Sequence, residues 1–268
     1  MVQITTEQIK KMSYVELMAF LEEINRPPGG KDSIKKIVQN CFITKDSKVL
    51  DIGCNTGYCA FEINHLIKCR VIGIDIDPNM IKVAKKIKKN EPFKKLIDFK
   101  VADARKLPFR NEEFDIVICG GSTAFMTNRE KSLREYKRVL KSWGFVADIN
   151  FYYQTKPPTY LIQELNQLMK TNIKAWGIDY WLNLYKKVGL EKYFIYTGNV
   201  KQATQKEIKD YCNLIVKQKK LTQSNKNALK ERLIPIMSLF NENNKHLVYS
   251  IFILRKRPVE EQVSLFGV

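Results

Sequence analysis

From Lys48 to Phe151 short apolar runs alternate with amphipathic stretches, and this alternation constrains the fold more than any other feature of the sequence. Residues 48–52, 70–75, 99–102, 114–119 and 145–151 read as strands. Residues 58–67, 78–89 and 129–140 read as helices; the second opens with Pro78, at a position that suits proline, and the third ends at Ser142-Trp143-Gly144. Short apolar strands separated by amphipathic helices build right-handed βαβ units on a parallel sheet.

The flanks extend this pattern. Residues 15–24 carry apolar side chains at helical spacing, and Asp32-Ser33 is suited to cap a helix over 34–41. Between them Arg26-Pro27-Pro28-Gly29-Gly30 breaks the chain, and 26–33 reads equally as a lid or as a plain connector. Downstream, 159–170 and 180–188 read as helices and 192–197 as a strand, followed by helices over 205–220 and 226–240 and a closing strand over 248–255. The expected fold is therefore α/β: a doubly wound, mostly parallel seven-stranded sheet with helical insertions near the C-terminus. We divide the chain into N-terminal helices (1–40), a binding core (41–155) and a C-terminal part (156–268), with an inserted helical cap at about 203–245.

Composition narrows the chemistry. Hydrophobic residues make up 44% of the 268, enough for a substantial core. No apolar run approaches the roughly 18 residues of a membrane span, and the polar stretch from Met1 to Lys11 lacks a signal-peptide core, so a cytoplasmic location is expected. The six cysteines form no C-x-x-C pair, and the two histidines, His65 and His246, lie far apart, so neither a metal site nor a histidine triad is expected. The net charge of +18 suits a polyanionic partner, but it is spread along the chain.

The chemistry concentrates at Val49-Leu50-Asp51-Ile52-Gly53-Cys54-Asn55-Thr56-Gly57, where a strand breaks into a glycine-bearing turn and then a helix. Ligands of open α/β sheets bind at such turns, near helix-start amides. Gly53 and Gly57 allow close approach of a ligand to the backbone. The dinucleotide pattern G-x-G-x-x-G is not met, and Gly30-Lys31-Asp32 fails the P-loop pattern.

The turn resembles the first motif of the class I S-adenosylmethionine-dependent methyltransferases, with Asn55 in place of the middle glycine of G-x-G-x-G. The remaining motifs follow in order. Val71-Ile72-Gly73-Ile74-Asp75 ends a strand in an acid, about 24 residues after Asp51. Next come Ala102-Asp103-Ala104 with Leu107-Pro108-Phe109, then Phe114–Cys119, then Glu135 to Gly144, where the usual Leu-Lys-Pro-Gly-Gly is varied. The resemblance covers residues 30–155 and implies a Rossmann-like fold, S-adenosyl-L-methionine as cofactor, and a cofactor site built from Asp51, Gly53, Cys54, Asn55, Gly57, Asp75, Ile76, Asp103, Ala104 and Gly120. By the same resemblance, Asp75 takes the ribose hydroxyls and Asp103 the adenine amino group.

No single catalytic residue is obligatory in methyl transfer, because alignment and exclusion of water supply most of the rate. Candidates come from loops at the carboxyl end of the sheet: Tyr152, Tyr153 and Asp179 first, with Ser122, Phe125, Asn150, Tyr180 and Trp181 beside them. Asp179 reads first as a helix cap, and the aromatic residues first as core. The motifs of amino-directed and cytosine-C5 DNA methyltransferases are missing, which leaves a small molecule or modified peptide as the expected substrate. An RNA or DNA methyltransferase is the alternative. Gln262-Val263-Ser264-Leu265-Phe266 resembles a sliding-clamp-binding peptide, a lesser expectation, and a binding module with a decayed turn is a third reading.

Overall fold

A computed structural model describes residues 4–22 and 26–258. Three helices, α1 (Thr6–Lys11), α2 (Tyr14–Leu21) and α3 (Gly30–Asn40), precede an alternating core. The core runs β1 (Lys48–Ile52), α4 (Tyr58–Ile67), β2 (Arg70–Asp75), α5 (Pro78–Lys88), β3 (Ile97–Val101), β4 (Phe114–Cys119), α6 (Arg129–Val139) and β5 (Leu140–Tyr153). Then come α7 (Thr159–Met169), α8 (Ile178–Lys187), β6 (Glu191–Asn199), α9 (Gln205–Lys217), α10 (Gln223–Asn244) and β7 (Leu247–Arg255).

The seven strands form one sheet in the order β3-β2-β1-β4-β5-β7-β6. Strands β1 to β5 pair in parallel, and β7 runs antiparallel to both β5 and β6. The strand order reverses between β1 and β4, which opens a crevice at their carboxyl ends. One face buries Val49, Ile63, Val71, Ala84 and Ile118 with Ile34 and Ile37 of α3; the other buries Leu50, Ile52, Val117, Leu133, Tyr136, Trp181 and Tyr185.

Three expectations are corrected. Helix α3 starts at Gly30 with Gly29 as its N-cap, not at an Asp32-Ser33 cap. A Cβ on Gly29 would overlap Ser33 and Tyr249, and the Ser33 hydroxyl donates to the Pro28 carbonyl at 2.6 Å. Ser142-Trp143-Gly144 does not separate helix from strand. It bulges inside β5, whose pairing with β4 jumps from Phe114–Leu140 to Ile116–Phe145. Lys256, just past β7, holds the bulge by accepting from Trp143 N (2.8 Å) and donating to Gly144 O (3.0 Å). Helix α8 begins at Ile178 with Gly177 as N-cap, so Asp179 is an exposed first-turn residue and not the cap.

A second, smaller core joins the two ends of the chain. Ile9, Leu17, Met18 and Leu21 pack with Ile208, Cys212, Ile215, Leu229, Leu233 and Met80. Among the described residues no helix is long and apolar enough to cross a membrane.

Candidate functional site

The turn after β1 is shaped by residues that cannot easily be replaced. Gly53 has φ +61°, and a Cβ there would overlap the Ser122 hydroxyl, which itself donates to Ile52 O at 3.1 Å. Gly57 has φ +96°, and a Cβ would lie 2.7 and 2.8 Å from the Phe99 and Phe61 rings. Asn55 takes φ +49°, a left-handed conformation that asparagine tolerates, and its own Oδ1 accepts from Thr56 N at 2.7 Å. The turn therefore closes without the middle glycine.

Two acids flank it. Asp51 is buried, with a backbone hydrogen bond from Ala60, yet its Oδ2 has no partner among the described residues. Burial pushes its carboxyl up to about 8, with the charge of Asp75 adding to the effect. Asp75 accepts from Asn55 N through Oδ2 and from Asp77 N through Oδ1, both at 2.9 Å. Burial holds its carboxyl above the ordinary range in spite of these bonds. Asp103 differs: the Arg105 guanidinium grips it at 3.0 Å (Nε) and 2.6 Å (Nη2) and holds its carboxyl below the usual value. Ile76, just past Asp75, is 64% exposed, Cys54 is buried under the turn, and Gly120 and Ala104 are half-buried.

A strap crosses the crevice. Pro27 and Pro28 lie against Gly120 and Gly121, at 3.4 and 3.7 Å from where Cβ atoms would sit. Arg26 lies 5.8 Å from the Tyr58 ring centroid and Lys31 pairs with Glu62 at 2.9 Å, both on α4. These contacts tie segment 26–31 to the rim of the turn.

The family profile described as a methyltransferase domain matches residues 50–147. An uncharacterized protein of Haemophilus influenzae is 26% identical over 188 residues, 68% of this chain and 74% of its own length. The uncharacterized methyltransferase YodH of Bacillus subtilis is 33% identical over 51% of this chain and 57% of its own length. The ubiquinone/menaquinone biosynthesis C-methyltransferase UbiE of Coxiella burnetii is 31% identical over 45% of this chain, and the match spans 49% of its length. Among solved structures, the MccD protein aligns with a TM-score of 0.75 and 26% identity, over 87% of this chain and 100% of MccD. A Haemonchus contortus phosphoethanolamine N-methyltransferase 2 in complex with S-adenosyl-L-methionine shares the fold at a TM-score of 0.69 and 18% identity, over 96% of this chain and 58% of its own.

Residues 50–147 form a methyltransferase domain, and the fold is that of the class I S-adenosylmethionine-dependent methyltransferases.

In this methyltransferase the three leading catalytic candidates do not converge. Tyr152 is packed in the core and its hydroxyl lies 3.5 Å from Ser250 Oγ. The Tyr153 hydroxyl donates to Asn243 Oδ1 on α10 at 3.0 Å. Asp179 stands exposed on α8. Of the others, Asn150 and Trp181 are buried, Tyr180 is half-buried, and Phe125 is exposed on the 3-10 turn Ser122–Phe125 beside the glycine turn. The clamp-like pentapeptide at 262–266 lies outside the described residues.

Sequence reasoning missed a buried polar network. Asp148 accepts from Thr123 Oγ1 at 2.9 Å and from the Tyr185 hydroxyl at 2.8 Å, and Asn150 Nδ2 donates to that hydroxyl at 3.0 Å. Burial raises the Asp148 carboxyl to about 6 against these donors. Its signal was an acid inside the apolar run Phe145-Val146-Ala147-Asp148-Ile149. Arg129 and Trp176, stacked at the same end of the sheet, had no signal in the spacing.

Proposed function

We propose that this methyltransferase moves the methyl group of S-adenosylmethionine to a nucleophile on a small molecule or a modified peptide, in a cleft between the β1 turn, the β4 turn and the strap at 26–31. The observation that carries the reading is the unpartnered Oδ2 of buried Asp51 beside the Gly53–Gly57 cradle. A buried acceptor without a donor is costly, and a ligand ammonium group offsets that cost. The cofactor's methionine end carries such a group. Asp51 would hold it, the Gly53-Cys54-Asn55 backbone and Gly120 would lie against the methionine portion, and Asp75 would take the ribose hydroxyls while bracing the turn. Ile76 and Ala104 would cover the adenine. Because the Asp103 carboxylate is forked by Arg105, its part in adenine recognition would be shared with that pair.

The bound cofactor supplies a methyl group made electrophilic by the sulfonium. The chain aligns the acceptor with that methyl and keeps water out, and Pro27 and Pro28 against Gly120 and Gly121 provide the cover. A covered crevice suits a small or flexible acceptor, and the match to a quinone C-methyltransferase supports that class. The test is S-adenosylhomocysteine formation against an acceptor panel of quinols, small amines, short peptides and transfer RNA. Turnover on a small or peptide acceptor that tolerates added salt supports the proposal. Turnover confined to RNA or DNA and lost steeply with salt would overturn it in favour of the nucleic-acid alternative.

A further inference from the structure

The other arginines of α6 and the one beside Asp103 are committed to acids: Arg105 to Asp103, Arg134 to Glu130 and Arg138 to Glu135. Arg129 has no acidic partner among the described residues. Its neighbour Glu130 is taken by Arg134 and Lys187, at 2.8 and 2.7 Å. Arg129 instead lies over Trp176, its guanidinium carbon 4.0 Å from the ring centroid, and Trp176 stacks on Tyr180 at 4.8 Å with planes 17° apart. Nε donates to the Ala124 carbonyl at 3.2 Å and Nη2 donates to the same oxygen, and the guanidinium also hydrogen-bonds the Tyr180 hydroxyl. Burial lowers the guanidinium from its ordinary range, with only the Tyr180 hydroxyl opposing.

The position of this stack links it to the reaction cleft. Ala124 and the 44%-exposed Phe125 belong to the 3-10 turn whose first residue, Ser122, fills the space beside Gly53. Trp176 is fixed to the end of β5, its carbonyl accepting from Tyr153 N at 2.8 Å. The stack thus bridges the loops after β4 and β5, on the opposite side of β1 from Asp75 at the end of β2.

We infer that Arg129, held on Trp176 and Tyr180, is the receptor for an oxyanion, a carboxylate or a phosphate, carried by the methyl acceptor. This rests on the methyl-transfer reading above, because only then does an acceptor lie between the β4 and β5 loops. A guanidinium offers paired donors that match oxyanions, its half-desolvated setting strengthens the attraction, and the aromatic stack fixes its plane in advance. The point charge of a lysine could not reproduce that fork.

The test titrates the full chain with inorganic phosphate and, separately, with acetate at constant ionic strength, read by tryptophan emission; Trp176→Phe assigns the signal. The expected result is a saturable change with at least one anion, the stronger of the two naming the acceptor's group. Arg129→Gln is expected to weaken it at least tenfold, and Arg129→Lys less so. Thermal unfolding checks that both variants fold, and the lysine variant carries the test if the glutamine variant does not. No saturable response to either anion, or equal affinity in wild type and the folded variant, would overturn the inference. A parallel titration of wild type with S-adenosylhomocysteine separates the readings: its failure removes the methyl-transfer cleft, whereas anion failure with that binding intact removes only the receptor.

Discussion

At the scale of single residues, Asp51 and Asp75 divide the work in different ways. Asp75 already accepts two backbone amides, so Asp75→Ala removes a brace of the turn as well as a ligand contact. The variant is expected to weaken S-adenosylmethionine binding by about 1–3 kcal/mol in calorimetry; unchanged affinity would show that the ribose site lies elsewhere. Asp51 makes binding pH-dependent. Its free-state value of about 8 means that below this pH a proton must leave before the carboxylate can meet an ammonium group. Affinity should therefore rise between pH 6.5 and 8, by at most about tenfold per unit, and Asp51→Asn should flatten the profile. The stability of the free protein runs the other way. A carboxyl raised on folding contributes stability that is present in full below about 3.9 and is lost as pH rises to about 8. The glycines and acids of the turn were legible because each is needed where it stands. The Asp103–Arg105 fork was not, since the partners stand two positions apart in a loop that has no period.

At the scale of elements, most strands and helices followed from periodicity, and the exceptions have physical causes. The β5 bulge was hidden because Ser-Trp-Gly looks like a turn, and only hydrogen bonds from distant Lys256 draw it into the sheet. The Asp148 network was hidden because its donors, Thr123 and Tyr185, come from other elements. It explains how a parallel strand carries an acid. Tyr185→Phe leaves Asp148 short of a donor in a buried setting, and a loss of about 1–3 kcal/mol is expected in denaturant unfolding. Unfolding within a few tenths of wild type would mean that Asp148 is neutral at the assay pH and does not need that hydroxyl. Tyr152 and Tyr153 were named because they follow a strand and Asp179 because it starts a helix, yet side-chain direction, which spacing does not reveal, sends the two tyrosines to different neighbours and leaves Asp179 exposed.

For the whole molecule, the alternating pattern and the spaced motifs were enough to predict the seven-stranded sheet. The union of the chain's two ends was not legible, because neither the N-terminal helices nor the pair α9 and α10 shows in its own sequence which apolar face it meets. Leu17 and Leu229 both lie in that second core, fully buried. Leu17→Ala is expected to cost about 2–5 kcal/mol of the core's local stability and to speed proteolysis at the 218–222 connection between α9 and α10. Cleavage no faster than in wild type would mean that the pair stands without the N-terminal helices.

The central claim is that the turn after β1 binds S-adenosylmethionine through the unpartnered carboxylate of Asp51. Calorimetric titration of wild type and Asp51→Asn with S-adenosylmethionine at pH 8, with NAD and ATP as controls, tests it most directly. The account predicts selective binding of S-adenosylmethionine by wild type, at least tenfold weaker in the variant. Equal affinity in the two proteins, or no preference over NAD and ATP, would contradict it.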